Sequence, residues 1–189
     1  PKAVKNIDQI ITAADAIMIA RGDLGVEVPM EQLPAIQKNI IKKCIIQSKP
    51  VIVATQLMES MINNPMPTRA EITDVANAVM DGTDALMLSG ETSIGDHPSE
   101  VVKTMNKIIY ESEPNFEIKR FRAKIIPQSK TFYSDVICFN AVNTAENVEA
   151  SAIIGMTTSG YTAFKISSFR PNAPIYIFSD QPHMLATYG

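Results

Sequence analysis

Two cysteines in 189 residues are too few for a disulfide scaffold, and a chain of this length has no need of one. Cys44 and Cys138 each sit inside an apolar-periodic segment and read as buried, inert thiols, which points to a reducing, cytoplasmic compartment. Strong charge of either sign is also lacking. A net charge of −3 gives no reason to expect nucleic acid or an anionic membrane as a partner. The apolar runs are far too short to span a bilayer. No fixed-period repeat and no low-complexity tract occurs. No signal peptide is visible at Pro1-Lys2, and a start without Met reads as a cropped one. Of the two histidines, His97 precedes Pro98 and fits a helix N-terminus, where neither catalysis nor metal binding is required. His183 carries no signal.

What is present alternates. Residues 16–20 read as a strand. A helix over 31–47 follows, with Leu33, Ile36, Ile40 and Cys44 on one stripe and Pro34 in its first turn. Pro50 introduces a strand at 51–54. A Pro-rich loop at 63–68 leads to a helix over 69–80 that presents Ile72, Ala76 and Val79 and stops at Gly82. Residues 85–88 form a third strand. Pro98 then opens a helix that carries Val101, Met105 and Ile108 inward. Three nearly continuous apolar strands, each followed by an amphipathic helix, predict a parallel sheet covered by helices. A doubly wound sheet and a (β/α)8 barrel both fit this much.

The character changes after Glu113-Pro114. Residues 115–129 are charged and aperiodic, which predicts a linker between domains at 1–114 and 130–189. Beyond it a second α/β unit is expected. It comprises a helix over 133–148 with Ile137, Ala141 and Val148 inward, a strand at 152–156, a helix over 160–169 and a strand at 175–178.

The residues that carry chemistry follow the strands, where parallel α/β folds place their sites. After the first strand stand Arg21, Gly22 and Asp23. Gly22 lets backbone N–H groups approach an anion, Asp23 offers oxygen ligands to a divalent metal, and Arg21 adds positive charge. A tight turn with a surface salt bridge needs the same residues. After the second strand Thr55 can donate a hydrogen bond to a phosphate or carboxylate, or cap a nearby helix. After the third, Ser89 and Glu91 can form a proton relay, or a helix cap with an anchoring salt bridge. In the second unit Thr157-Thr158-Ser159-Gly160-Tyr161-Thr162 joins strand to helix. Its hydroxyls and glycine at a helix N-terminus make an anion cradle, or a heavily decorated cap. No lysine accompanies it, so it is not a Walker-type loop.

Taken together, these segments resemble pyruvate kinase. The matching blocks are residues 19–25, 50–56, 67–71, 74–79 and 88–92, followed by Thr158-Ser159-Gly160 and Phe169-Arg170-Pro171, in the family's order from about Ala3 to Met184. The resemblance implies the last three βα units of a (β/α)8 TIM barrel followed by a separate, truncated α/β regulatory domain. It implies phosphoryl transfer from phosphoenolpyruvate to ADP, giving pyruvate and ATP, with Mg²⁺ (or Mn²⁺) and K⁺. Asp23 is then the Mg²⁺ ligand. Gly22, Asp23 and Thr55 bind substrate, and Ser89 joins Thr55 in catalysis through the network that protonates enolpyruvate. Thr157, Thr158, Ser159, Gly160 and Thr162 correspond to the loop that binds the phosphate of an allosteric effector. The full-length family member is expected to be a cytoplasmic homotetramer.

The resemblance also implies what should be missing. The family's Lys-Ile-Glu, with the catalytic lysine and a second metal carboxylate, is expected just before Pro1. The first five barrel strands, the lid domain, the K⁺ ligands and most of the nucleotide site are expected further upstream. This stretch alone is therefore expected to be inactive. Ala186 to Gly189 depart from the family pattern. Two rivals remain open: a non-catalytic fragment for effector-phosphate binding and subunit contact, and a different barrel that handles phosphoenolpyruvate or pyruvate.

Overall fold

In the computed structural model, residues 2–115, 125, 127 and 129–183 are described. The chain divides into two compact units, Pro1–Phe121 and Arg122–Gly189. The expected linker at 115–129 and the divergent tail at 186–189 fall mostly outside the described residues.

The first unit begins with two helices that sequence periodicity left unassigned, α1 (Lys2–Lys5) and α2 (Ile7–Ala13). Then follow β1 (Ile17–Ala20), α3 (Arg21–Glu27), α4 (Leu33–Ile46) and β2 (Val51–Ala54). They are succeeded by α5 (Arg69–Met80), β3 (Ala85–Met87), α6 (Gly90–Ser93) and α7 (Pro98–Ser112). The three strands form one parallel sheet in the order β1-β2-β3. Ala20 stands beside Ala54, and Ala54 beside Met87, so the strands end level and the residues that follow them share one rim.

β2 lies in the middle, with Val51, Val53 and Ala54 fully buried. The chain after it plugs the core with Leu57, Met58 and Met61, the last in a 3-10 turn at Glu59–Ile62. Helix α4 starts where Pro34 requires. Its buried face is Gln37, Ile40, Ile41, Cys44 and Ile45, so Leu33 and Ile36 are only half-buried at the margin of the predicted stripe.

Helix α5 has its predicted bounds because Thr68 and Glu71 form a capping box at one end and Gly82 takes a left-handed φ of 89° just past the other. Its inward face is Val75 and Ala78, whereas Ile72 is exposed. Glu71 also accepts hydrogen bonds from the Ser60 amide at 2.7 Å and the Ser60 hydroxyl, which fastens the loop after β2 to α5. Burial alone would push the Glu71 carboxyl up. The hydrogen bonds from Ser60 and Thr68 outweigh it and hold the group below the ordinary glutamate value.

The second unit comprises α8 (Phe132–Asn147), β4 (Ile153–Met156), α9 (Tyr161–Ser168) and β5 (Ile175–Phe178), with β4 and β5 paired in parallel. Here the predicted inward face of α8 is wrong. Ile137 and Val148 are 68% and 67% exposed, and the buried residues are Asp135, Cys138, Val142 and Ala145. Two of the buried polar residues of this unit, Asp135 on α8 and Lys165 on α9, pair with one another, and hydropathy does not reveal such a pair.

Both cysteines are free and buried, as their apolar settings predict. Burial, with a smaller contribution from the Asp84 charge, pushes the Cys44 thiol up to about 11 from an unperturbed 9.0. A thiol ionises more readily in the unfolded chain when its folded value is raised. Its contribution to stability is therefore complete below pH 9 and is lost as pH rises toward 11. The urea midpoint is expected to fall across that window, and to fall less in Cys44→Ala. Thiol reagents are expected to label Cys44 at pH 8 only after denaturation.

Candidate functional site

The residues predicted to act after β1 and β2 meet on the shared rim. The turn expected at Arg21-Gly22-Asp23 is instead the first turn of α3. Across from it, Thr55 and Gln56 leave β2 with φ of 68° and 54°, two consecutive side-chain-bearing residues in the left-handed region. Each such residue costs about 1–2 kcal/mol, so something must hold the turn.

Arg21 holds it. Its Nε and Nη2 donate to the Thr55 carbonyl at 3.1 and 2.8 Å, Nη2 also donates to the Gln56 carbonyl at 2.8 Å, and Nη1 donates to Asp74 Oδ2 on α5 at 2.6 Å. The salt bridge of the plainer reading is present, but its arginine is buried rather than at the surface, and the four hydrogen bonds of the guanidinium go to shaping the rim. The Asp74 partner lies 53 residues away and has no local sequence signal.

The clamp leaves Thr55 facing Gly22. The Gly22 amide donates to Thr55 Oγ1 at 2.8 Å. A Cβ built on Gly22 would lie 3.5 Å from the same oxygen, so the approach is close without being exclusive to glycine. A hydroxyl that accepts one bond still has its own proton to give. Thr55 Oγ1 therefore satisfies a first-turn amide of α3 from across the rim, the helix-capping role the sequence also allowed, and its O–H remains a donor. Asp23, next along α3, is exposed, and its carboxylate has no hydrogen bond or ion pair among the described residues. It lies in the wall of an apolar groove of about 920 Å³ bounded by α1, α2, β1 and α3.

Ser89 follows β3 on the same rim and is half-buried. It is the residue before α6, but its hydroxyl caps no backbone amide. Instead the Ser89 amide donates to Glu91 Oε2 at 2.9 Å. Glu91 is buried and its Oε1 has no hydrogen-bond partner among the described residues; the anchoring salt bridge is likewise not found there. His97 takes the position before α7 without capping it.

The donor set suits a hard cation only in part. Asp23 supplies one free carboxylate at the rim, and no group of three His, Cys, Asp or Glu residues able to hold a metal occurs among the described residues. Magnesium is commonly held by one or two carboxylates together with water and substrate oxygens, so Asp23 fits as one ligand of an incomplete set.

In the second unit the hydroxyl loop precedes α9. Gly160 is buried with a φ of 77°, the left-handed value that makes glycine the natural residue there. The Gly160 amide donates to Thr157 Oγ1 at 3.0 Å and the Tyr161 amide to Ser159 Oγ at 3.5 Å. Two of the hydroxyls thus serve the loop itself. A cavity of about 630 Å³ opens beside it, lined by Thr157, Thr158, Ser159 and Thr162 and, on the far side, by Phe178 and Asp180. Asp180 puts a carboxylate in the wall of a cavity otherwise rich in donors. Tyr161 does not line the cavity. Its hydroxyl donates to Asp135 on α8, and burial, then that bond, raises the phenol above its ordinary value.

Comparison with known proteins agrees with the resemblance. The family model for pyruvate kinase, barrel domain, matches residues 1–102, and that for pyruvate kinase, alpha/beta domain, matches residues 135–187. A pyruvate kinase of Clostridium acetobutylicum is 51% identical over 92% of this chain and 37% of its own length. One from Geobacillus stearothermophilus is 50% identical over 92% of this chain and 30% of its own. The crystal structure of a pyruvate kinase from Cryptosporidium parvum superposes with a TM-score of 0.86 at 40% identity, covering 97% of this chain and 37% of that one. The chain thus spans 30–37% of the length of these relatives.

Proposed function

Since this chain belongs to the pyruvate kinase family, we propose that it forms part of an enzyme that moves the phosphoryl group of phosphoenolpyruvate to ADP, giving pyruvate and ATP. In this reading the first unit is the last three βα units of an eight-stranded barrel. The division is barrel at 1–114, linker at 115–129 and regulatory domain at 130–189. The observation that carries the proposal is the rim itself: a free carboxylate at Asp23 beside a Gly22 amide and a Thr55 hydroxyl that still has a proton to donate.

Asp23 would hold Mg²⁺ or Mn²⁺, and the metal would neutralise charge on the transferring phosphoryl group and favour the enolate left behind. The amides of Gly22 and Asp23 and the hydroxyl of Thr55 would orient substrate oxygens. Ser89, whose hydroxyl caps nothing, would take part in delivering the proton to enolpyruvate. K⁺ and most of the nucleotide would be held by residues beyond this stretch. In the second unit Thr157, Thr158, Ser159, Gly160 and Thr162 would receive the phosphate of an allosteric effector, and the whole enzyme would be a cytoplasmic homotetramer. Among the described residues no helix is long and apolar enough to cross a membrane.

The reading is tested at Thr55. In the full-length enzyme that contains this chain, Thr55→Val keeps the shape and deletes both the donor and the acceptor of the Gly22 amide. KM for phosphoenolpyruvate is expected to rise about tenfold, the scale of one hydrogen bond to a charged group, with Thr55→Ser close to wild type. An unchanged KM in Thr55→Val would remove Thr55 from the substrate site. The isolated 189-residue chain, with no group of three metal-ligating side chains among the described residues, is expected to form no ATP from phosphoenolpyruvate in a coupled assay. Measurable turnover would overturn that expectation. The cavity beside the hydroxyl loop supports a second reading, in which this stretch acts by itself only as an effector-phosphate and subunit-contact module. Phosphate binding by the isolated chain, lost in Thr158→Ala, would favour it.

A further inference from the structure

One cluster of the second unit is absorbed neither by catalysis nor by the loop's own bonding. Asp135 and Lys165, on α8 and α9, are both more than nine-tenths buried and face each other at 3.6 Å. Thr131 Oγ1 donates to Asp135 Oδ2 at 3.4 Å, and the Lys165 ammonium also lies 5.4 Å from the centre of the Phe169 ring. Into this cluster reaches Tyr161, the first residue of α9, with its hydroxyl on Asp135 Oδ1.

The position of Tyr161 gives the bond its meaning. Residues 157–160 lead directly into it through Gly160, whose left-handed φ of 77° suits a residue without a Cβ. The bonds from the Gly160 amide to Thr157 and from the Tyr161 amide to Ser159 lie within the loop, so they shape it without fixing it against α8. The bond from Tyr161 crosses from α9 to α8 and ends on a carboxylate anchored by a buried ammonium. A phenylalanine would fill the same apolar space, so the hydroxyl is what the tie requires.

We propose that Tyr161 is a tether that fixes the first turn of α9, and with it the loop 157–160, by bonding to the buried Asp135–Lys165 pair, and so preorganises the loop for an anion. Its consequence for ligand affinity rests on the effector-phosphate reading of that loop; the tether itself does not. Preorganisation of this kind adds affinity by lowering the ordering cost of binding, without a new ligand contact.

Hydrogen exchange on the full chain, followed at the amides of 158–162, tests the tether without any ligand. Tyr161→Phe is expected to speed exchange at these amides about tenfold, one hydrogen bond's worth, while the middle of α8 stays protected. Asp135→Asn combined with Lys165→Met keeps an oxygen acceptor for Tyr161 without leaving a buried charge unpaired, and is expected to keep most of the protection, a rescue that loss of general stability would not give. Thermal unfolding of both variants verifies that they are folded. Titration with inorganic phosphate forms a second arm, in which Tyr161→Phe is expected to bind about tenfold more weakly than wild type. Unchanged exchange at 158–162 in Tyr161→Phe overturns the proposal whether or not phosphate binds, and so does equal phosphate affinity in the two proteins. Faster exchange together with no phosphate binding by either protein supports the tether and defeats the effector reading instead.

Discussion

Arg21→Met is expected to lower the unfolding free energy by about 3–5 kcal/mol, the scale of breaking a buried charge network from one side. The guanidinium makes four hydrogen bonds of 2.6 to 3.1 Å, three to the Thr55 and Gln56 carbonyls and one to Asp74. Removing it takes the donors from two carbonyls beneath the rim. It also releases a turn whose residues sit at φ 68° and 54° only because it is held there. Asp74 is partly exposed and regains water, so the loss comes mainly from the carbonyls and the turn. Arg21→Lys keeps the charge but lacks the planar fork that reaches both carbonyls and the carboxylate, and is expected to recover less than half of the loss. Denaturant titration at constant slope checks both values. A loss below about 1 kcal/mol for Arg21→Met would mean that the turn holds itself.

Lys165→Met should be comparably damaging, at about 3–5 kcal/mol, and for a different reason. Asp135 would keep the Tyr161 and Thr131 hydroxyls but lose the only counter-charge paired with it among the described residues, in a place where its side chain is 6% exposed. The pair as a whole need not be stabilising, because burying two charges costs about as much as their attraction returns. Lys165→Met combined with Asp135→Asn is accordingly expected to be more stable than Lys165→Met alone. The coupling from the double-mutant cycle measures the interaction. A neutral Lys165→Met would show that Asp135 is content with its hydroxyl partners.

The sequence was most legible where local chemistry decides the structure. Pro34 and Pro98 mark two helix starts, and the Pro-rich loop at 63–68 and Gly82 bracket a third helix at both ends. The apolar runs at 17–20 and 51–54 read as strands of a parallel sheet, and they pair as one, with the strand at 51–54 in the middle. Legibility failed where a distant partner decides. Helix α3 carries two glycines in seven residues and reads as a turn. It is held as a helix by bonds from Arg21 and Gly22 to residues 33 or more positions away. The inward face of α8 was misassigned because its burial includes Asp135, and an aspartate turned inward toward a lysine from another helix looks polar and exposed in any hydropathy reading.

The same split holds for the sites. Gly22, Thr55 and the residues after β3 were located by their place after strands. The clamp that shapes them gave no periodic signal, and although Arg21 and Asp74 both stand in blocks that match the family, nothing in the sequence paired them.

The level ends of the three strands imply a map of where this gene can change length. An extra codon inside β2 would turn every following side chain of that strand to its opposite face and carry Thr55 out of line with Gly22. An extra codon in the exposed connection after α3, around 29–31, would leave the ladder and its register untouched. A single-residue insertion scan would therefore show the rim lost for insertions within 51–54 and kept for those in exposed connections away from the strands.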